Sequence, residues 1–158
     1  EKLATLRAAK TGEMEPAFVV HRTMCDVRWL DPTVVPNGRN PGWCYMGDPR
    51  AVNVGPVGLA RFTTLRSWLS QWSYDLSNAK GPANPAKIPN TSLLQIENTA
   101  DDAVPATHNP TIRAALATAD KEYVEIEGAT HYYLGQPEQL KQCIDAVTGW
   151  SSRKGLLA

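Results

Sequence analysis

Residues 92 to 131 read SLLQIENTADDAVPATHNPTIRAALATADKEYVEIEGATH, and the prediction of the fold begins from them. One apolar run predicts a strand over 92–97, and a second predicts another strand over 123–126. Between the two runs, Asn109 can cap a helix whose first position is Pro110, because proline is favoured there. Strand, helix and strand in this order predict a parallel unit with a right-handed crossover.

A final helix is predicted from Pro137, with Leu140, Ile144 and Val147 repeating on one inward face. Parallel sheets are normally built from several strands and covered on both faces, yet this chain offers only two clear strands. We therefore expect further strands to come from outside these residues. They would lie in an N-terminal segment of the same protein or in a companion polypeptide.

The first 80 residues have a different pattern, which predicts mostly helix. Helices are expected over 3–9, 16–30 and 58–78, each on the basis of apolar spacing or proline at a first turn. Residues 32–56, rich in proline and glycine, predict a long ordered loop that is either a surface connection or a lid or binding loop.

An aromatic stripe runs along the helix predicted over 58–78. Trp68 and Trp72 belong to it, and such stripes are usually core packing. The alternative is that these two rings line a substrate pocket. Residues 80–89, KGPANPAKIP, predict a linker because three prolines prevent regular structure there.

The composition of this 158-residue chain limits the classes of partner that it is expected to bind. Its 42% hydrophobic content is that of a globular domain, and 16 basic residues balance 16 acidic ones. A formal net charge of zero without a basic block argues against nucleic acid and against anionic membranes. No run of about eighteen apolar residues predicts a transmembrane helix. The expected partner is a small molecule or another protein.

Three scattered cysteines, Cys25, Cys44 and Cys143, predict reduced thiols and hence a cytoplasmic protein. Secretion stays open, because the chain starts at Glu1 in mid-pattern and a leader need not be visible. The spacing of His21, Cys25 and Cys44 is too irregular for a zinc motif, so no metal is expected.

Two chemically active side chains follow the two predicted strands. Asp101 comes four residues after the first strand and His131 five residues after the second. Functional side chains collect beyond the carboxyl ends of parallel strands, so both are expected at one sheet edge. A carboxylate there orients the imidazole and stabilises its charged form. The alternative is that Asp101 caps a turn and His131 is a hydrogen-bonded loop histidine.

Two motifs carry a resemblance to a known family: Asp101-Asp102-Ala103-Val104-Pro105 and Gly128-Ala129-Thr130-His131. Residues 88–152 resemble the last part of an α/β-hydrolase, in which the acid lies in an Asp-x-x-Val-Pro turn and the histidine in a Gly-x-x-His turn. The resemblance implies an α/β fold whose C-terminal portion is 81–158. A mostly helical cap or lid over 1–80 would precede it. It makes Asp101 the acid, with Asp102 as the alternative.

This sequence departs from the family pattern at the nucleophile. The motif Gly-x-Ser-x-Gly, whose serine is the family's nucleophile, is absent from it. Family order places that serine upstream, in an N-terminal half or a separate chain. The resemblance then implies a carboxylic ester hydrolase without a cofactor, with Trp68, Trp72 and Tyr132 as candidate substrate contacts. Alternatives are a non-catalytic binding module and a lyase or dehalogenase on the same fold.

Overall fold

The computed structural model describes residues 16–21, 24–31, 33, 37–56 and 61–157. Within these residues the chain is a mixed α/β protein with a small parallel sheet and four α-helices. The strands are β1 (Ala17–Val19), β2 (Phe62–Thr64), β3 (Leu93–Asn98) and β4 (Lys121–Ile126). The α-helices are α1 (Pro49–Val54), α2 (Leu65–Trp72), α3 (His108–Ala115) and α4 (Pro137–Arg153), and 3₁₀ helices span Val27–Leu30 and Pro85–Lys87.

The predicted parallel unit is confirmed. β3 pairs with β4 in parallel, from Leu93 opposite Lys121 to Asn98 opposite Ile126. α3 lies between them in the chain and begins at His108, two residues before the predicted first position, Pro110. Among the described residues the parallel sheet holds these two strands. Their carboxyl ends therefore leave the sheet side by side.

α4 confirms the helix predicted from Pro137 and continues to Arg153. A 2.6 Å ion pair between Arg153 and Glu122 ties its end to β4. Its apolar stripe, predicted to face inward, is about half exposed, at 43% for Leu140 and 51% for Ile144. No helix in the described ranges is long and apolar enough to cross a membrane.

The helix predicted over 16–30 is wrong for the described residues, of which only Val27–Leu30 are helical, as one turn of 3₁₀ helix. Residues 17–19 form β1, which pairs antiparallel with β2 and sets Phe18 opposite Thr63. Aromatic and β-branched side chains gain more from this pairing than from an isolated helical turn, so tertiary context overrides local propensity. The helix predicted over 3–9 lies outside the described residues.

The helix predicted over 58–78 is shorter than expected. Thr64 caps α2 by accepting a 3.3 Å hydrogen bond from the Ser67 N–H, and the helix ends at Trp72. The predicted linker over 80–89 contains one turn of 3₁₀ helix. The predicted division of the chain at residue 80 stays a prediction.

The loop predicted over 32–56 contains a helix that sequence reasoning missed. The Asp48 side chain accepts a 2.8 Å hydrogen bond from the Arg50 N–H, and Pro49 takes the first helical position of α1. Asp followed by Pro is an ordinary helix start, so the signal was present in the sequence. The surrounding prolines and glycines led to the prediction of a loop instead.

A disulfide joins Cys25 to Cys44, so the prediction of reduced thiols is wrong for this pair. Both residues are buried and form a small core with Trp29. The buried Asn53 side chain of α1 fixes the adjoining backbone, accepting from the Cys25 N–H at 3.0 Å and donating to the Cys25 carbonyl at 2.9 Å. Cys143 is a free thiol. The two cysteines are 19 residues apart in sequence, and only the fold brings their Cα atoms to 6.4 Å. Their spacing in the sequence therefore did not indicate the pairing.

Replacing both Cys25 and Cys44 with Ala should lower the free energy of unfolding by about 3 kcal/mol, because the unfolded chain loses a closed loop of this length. Guanidinium denaturation followed by tryptophan fluorescence measures the change. Reductant should destabilise the wild type and leave the double variant unaffected. Equal midpoints for the wild type and the double variant without reductant would contradict the prediction.

Candidate active site

The carboxyl edge of β3 and β4 carries the two predicted catalytic side chains. Beyond the last strand pair, the Ala100 N–H donates to the Ala129 carbonyl at 3.1 Å, so the two chains run together for a few more residues. The Gly128 N–H also donates to Thr99 Oγ1 at 2.8 Å. These bonds hold the two turns that contain Asp101 and His131 at a fixed separation.

Asp101 lies in a tight turn that its own side chain stabilises. Its Oδ1 accepts hydrogen bonds from the N–H groups of Ala103 and Val104, both at 2.8 Å. This local pattern is typical of aspartate and sets the direction of the carboxylate. The second oxygen, Oδ2, lies 3.1 Å from His131 Nδ1. The structure therefore joins the two residues that the sequence motifs singled out.

The His131 ring is one-third exposed, whereas the Asp101 side chain is only 13% exposed. An ionised carboxylate is an acceptor, so this contact favours the tautomer with the proton on Nδ1. Nε2 is then the nitrogen that can accept a proton from another group. The arrangement is the one that general-base catalysis by histidine requires.

Asp102, the alternative acid, has a different contact. Its Oδ1 accepts a 3.1 Å hydrogen bond from the His131 backbone N–H, whereas the imidazole is bound by Asp101. The Asp102 side chain thus holds the histidine turn by binding the main chain of His131. The geometry favours Asp101 as the residue that orients the ring.

Asn98, at the end of β3, connects the strand to the histidine turn. Its Nδ2 donates to the Thr130 carbonyl at 3.0 Å, and its Oδ1 accepts from the Tyr133 hydroxyl at 2.9 Å. Burial, a contact with Cys143 and the charge of Asp101 raise the pKa of Tyr133 to about 12, although the Asn98 bond opposes the shift. The phenol therefore stays protonated at neutral pH and can donate.

The histidine turn also has its own support. The Gln136 side chain accepts from the Thr130 N–H at 2.8 Å and donates to the Gly128 carbonyl at 2.7 Å. Gly128 has φ +69, a left-handed value that favours glycine, which explains the first position of the Gly-x-x-His motif. Tyr133 has φ 55, which is uncommon for a side chain of this size.

Residues 37–45 lie against the acid turn, which sequence reasoning did not foresee. Asn37 Nδ2 donates to the Asp101 carbonyl at 2.8 Å, and the Tyr45 N–H donates to the Asp102 carbonyl at 2.9 Å. A Cβ on Gly38 would lie 3.3 Å from the Ala100 Cβ, so the approach of the two chains is close. This middle part of the proline-rich loop is anchored by the Cys25–Cys44 disulfide.

A cavity of about 380 Å³, here called the aromatic cavity, opens beside the histidine turn. Tyr132, predicted as a substrate contact, lines it together with Trp43 and Tyr45. The Tyr132 ring stands edge-on to the His131 ring, with centroids 4.8 Å apart, and 5.6 Å from the Tyr45 ring. Burial, and secondarily the neighbouring Tyr132, raises the pKa of Tyr45.

The other two predicted substrate contacts are not brought to this cavity. Trp68 packs against Phe18 of β1, with ring centroids 6.3 Å apart. Trp72 lines a second cavity of about 360 Å³ together with Tyr74 and Lys80. The structure therefore distributes the three predicted aromatic residues over three environments.

Among the described residues, neither a nucleophile bonded to His131 nor a metal-binding cluster of side chains is found. Within them, the His131 ring is hydrogen-bonded to Asp101 and to no hydroxyl or thiol. Ser67, Ser73 and Ser77, on or near α2, have local partners, as in the 3.3 Å bond from the Leu76 N–H to Ser73 Oγ. The same part of the chain contains no group of three or more His, Cys, Asp or Glu side chains that could hold a metal ion.

No protein-family model matches the chain, no curated protein matches its sequence, and no solved structure matches its fold. The chemistry of the site therefore has to be inferred from its own geometry.

Replacing Asn98 with Ala should lower the free energy of unfolding by about 2 kcal/mol, because it leaves the Thr130 carbonyl and the Tyr133 hydroxyl without this partner. Thermal or guanidinium denaturation measures the loss. Asn84→Ala is the matched control, since Asn84 donates to the Asn78 carbonyl at an exposed position and should cost under about 0.5 kcal/mol. Equal losses in the two variants would contradict the bridging role of Asn98.

Proposed function

We propose that this chain is the acid-and-histidine part of a serine hydrolase with an α/β-hydrolase fold, acting on a carboxylic ester of modest size. The observation that carries the proposal is the 3.1 Å contact between His131 Nδ1 and Asp101 Oδ2 at the carboxyl edge of a parallel sheet. The Asp-x-x-Val-Pro and Gly-x-x-His turns, which contain these two residues, support the same assignment. No cofactor is required for this chemistry.

In the proposed reaction, a serine hydroxyl attacks the ester carbonyl while His131 Nε2 accepts its proton. The imidazolium then gives this proton to the departing alcohol, which leaves an acyl-enzyme. Water, deprotonated by the same nitrogen, attacks the acyl group, and the proton returns to the serine as the acid leaves. Asp101 stabilises the imidazolium in each half-reaction and does not itself take the proton.

The serine and the oxyanion hole are proposed to come from a segment outside these 158 residues, either of the same protein or of a companion chain. Support comes from the absence of Gly-x-Ser-x-Gly in the sequence. Further support comes from surfaces of the helix and sheet that other parts of a protein normally cover. The apolar stripe of α4 is about half exposed, and in the described ranges β3 and β4 each pair with one strand.

Residues 1–80 are proposed to act as the cap over this site. The hydrogen bonds from residues 37–45 to the acid turn support this placement. The Cys25–Cys44 disulfide favours an oxidising compartment over the cytoplasm that the thiol count had predicted.

A non-catalytic binding module is the second candidate function. It is favoured by the fact that no hydroxyl of the described residues is hydrogen-bonded to the His131 ring. In such a protein the Asp101 contact would serve structure only. Activity of the histidine and aspartate variants distinguishes the two candidates.

In the complete protein, His131→Ala should lower kcat for a small ester by about 10⁴-fold or more, because the general base is removed. Asp101→Asn should lower kcat by about 10⁴-fold, since an amide no longer favours the productive tautomer. Steady-state hydrolysis of a nitrophenyl ester measures both.

Two controls accompany these variants. Asp102→Asn retains an oxygen acceptor for the His131 N–H and should stay within about tenfold of the wild type in kcat. His108→Ala changes an exposed histidine and should leave kcat unaltered. Full esterase activity in His131→Ala, or a larger loss in Asp102→Asn than in Asp101→Asn, would refute the assignment.

A further inference from the structure

The aromatic cavity is formed where the disulfide-anchored loop meets the two turns of the site. Trp43 and Tyr45 belong to the loop, whereas Tyr132 belongs to the histidine turn. Its volume of about 380 Å³ lies within the usual range for small-molecule pockets, which is roughly 300–1,000 Å³. A small organic group, and not an extended chain, fits such a space.

Three polar side chains of the lining, those of Thr130, Gln136 and Asp102, already have hydrogen-bond partners within the protein. Thr130 Oγ1 donates to Gln136 Oε1 at 3.0 Å, and Gln136 Nε2 donates to the Gly128 carbonyl. Asp102 Oδ1 already accepts from the His131 N–H. Since these groups are engaged within the protein, they offer a ligand little directional recognition.

The charges of the lining cancel. Arg39 and Asp102 are the charged residues of the described part of the chain that line the cavity, and they attract each other. The Arg39 guanidinium also stacks over the Trp29 ring at 4.0 Å. A ligand with a net charge would disturb this balance and lose its own hydration, so the cavity favours a neutral group.

The exposed aromatic rings supply the recognition surface. Trp43 is 50% exposed and Tyr132 is 66% exposed, so each presents ring surface that a ligand can cover. Aromatic pairs gain about 0.5–1.5 kcal/mol beyond the burial of their area, when they stack offset or meet edge to face. A planar aromatic group can use both geometries here, as the Tyr45–Tyr132 edge contact already does.

We propose that the aromatic cavity binds a planar, uncharged aromatic group of the ester substrate, which makes the protein an aryl ester hydrolase. This inference rests on the proposed hydrolase function. Tyr132 lines the cavity and also stands edge-on to His131, so one side chain links the proposed binding site for the ring to the proposed base.

A binding titration tests the cavity without catalysis. In the complete protein, 2-naphthol should quench tryptophan fluorescence with a Kd at least about tenfold lower than that of either 2-naphthoate, which is charged, or decahydro-2-naphthol, which is not planar.

Trp43→Ala should weaken 2-naphthol binding about tenfold, as followed by ligand-observed NMR. Tyr74→Ala, in the second cavity, is the matched control and should not change it. Equal binding of the three ligands, or an unchanged Kd in Trp43→Ala, would overturn the proposal.

Kinetics then link the cavity to the reaction. Trp43→Ala should lower kcat/KM for 2-naphthyl acetate about tenfold, mainly through KM, and should lower kcat/KM for ethyl acetate, which has no ring, by a smaller factor. An equal loss with both esters would overturn the aryl preference. If neither ester is hydrolysed by the wild type, the proposed hydrolase function fails, whereas the titration still decides whether the cavity binds aromatic groups.

Discussion

The parallel pairing of β3 with β4 is the constraint on which the candidate site depends. Its register ends with Asn98 opposite Ile126, so the chain leaves both strands at one level. A shift of one residue would turn every side chain of a strand to the other face of the sheet. Because the register is held, Asp101 and His131 meet within hydrogen-bond distance although they are 30 residues apart.

The acid turn is held from two sides. On one side, β4 and its following turn bind it through Thr99, Ala100 and Asn98. On the other side, the loop anchored by the Cys25–Cys44 disulfide binds the Asp101 and Asp102 carbonyls. Positioning of a base is effective only when its partner is itself fixed by surrounding contacts. The disulfide core therefore supports the site although neither cysteine is part of it.

The C-terminal half could be predicted from sequence because its signals are local. Apolar runs, prolines at helix starts and the Asp-x-x-Val-Pro turn each act within a few residues, and the structure confirms β3, β4 and α4. Asn98 shows where prediction from local sequence fails. It lies at the end of β3 and acts through two side-chain hydrogen bonds to Thr130 and Tyr133, 32 and 35 residues further along the chain, which no local pattern indicates.

The N-terminal half resisted prediction because its structure depends on distant partners. β1 exists through pairing with β2, more than 40 residues away, and apolar spacing alone suggested a helix there. The Cys25–Cys44 bond and the contacts of Asn37 and Tyr45 with the acid turn are likewise long-range. Nothing in their neighbouring residues encodes these partners.

We propose that His131, oriented by Asp101, activates a serine in the complete protein. Labelling with a fluorophosphonate, followed by mass spectrometry of the modified peptide, tests it most directly. We expect one labelled serine outside these 158 residues and a rate of labelling that falls at least about 10³-fold in His131→Ala. Failure of the wild type to label, or equally fast labelling in His131→Ala, would contradict it.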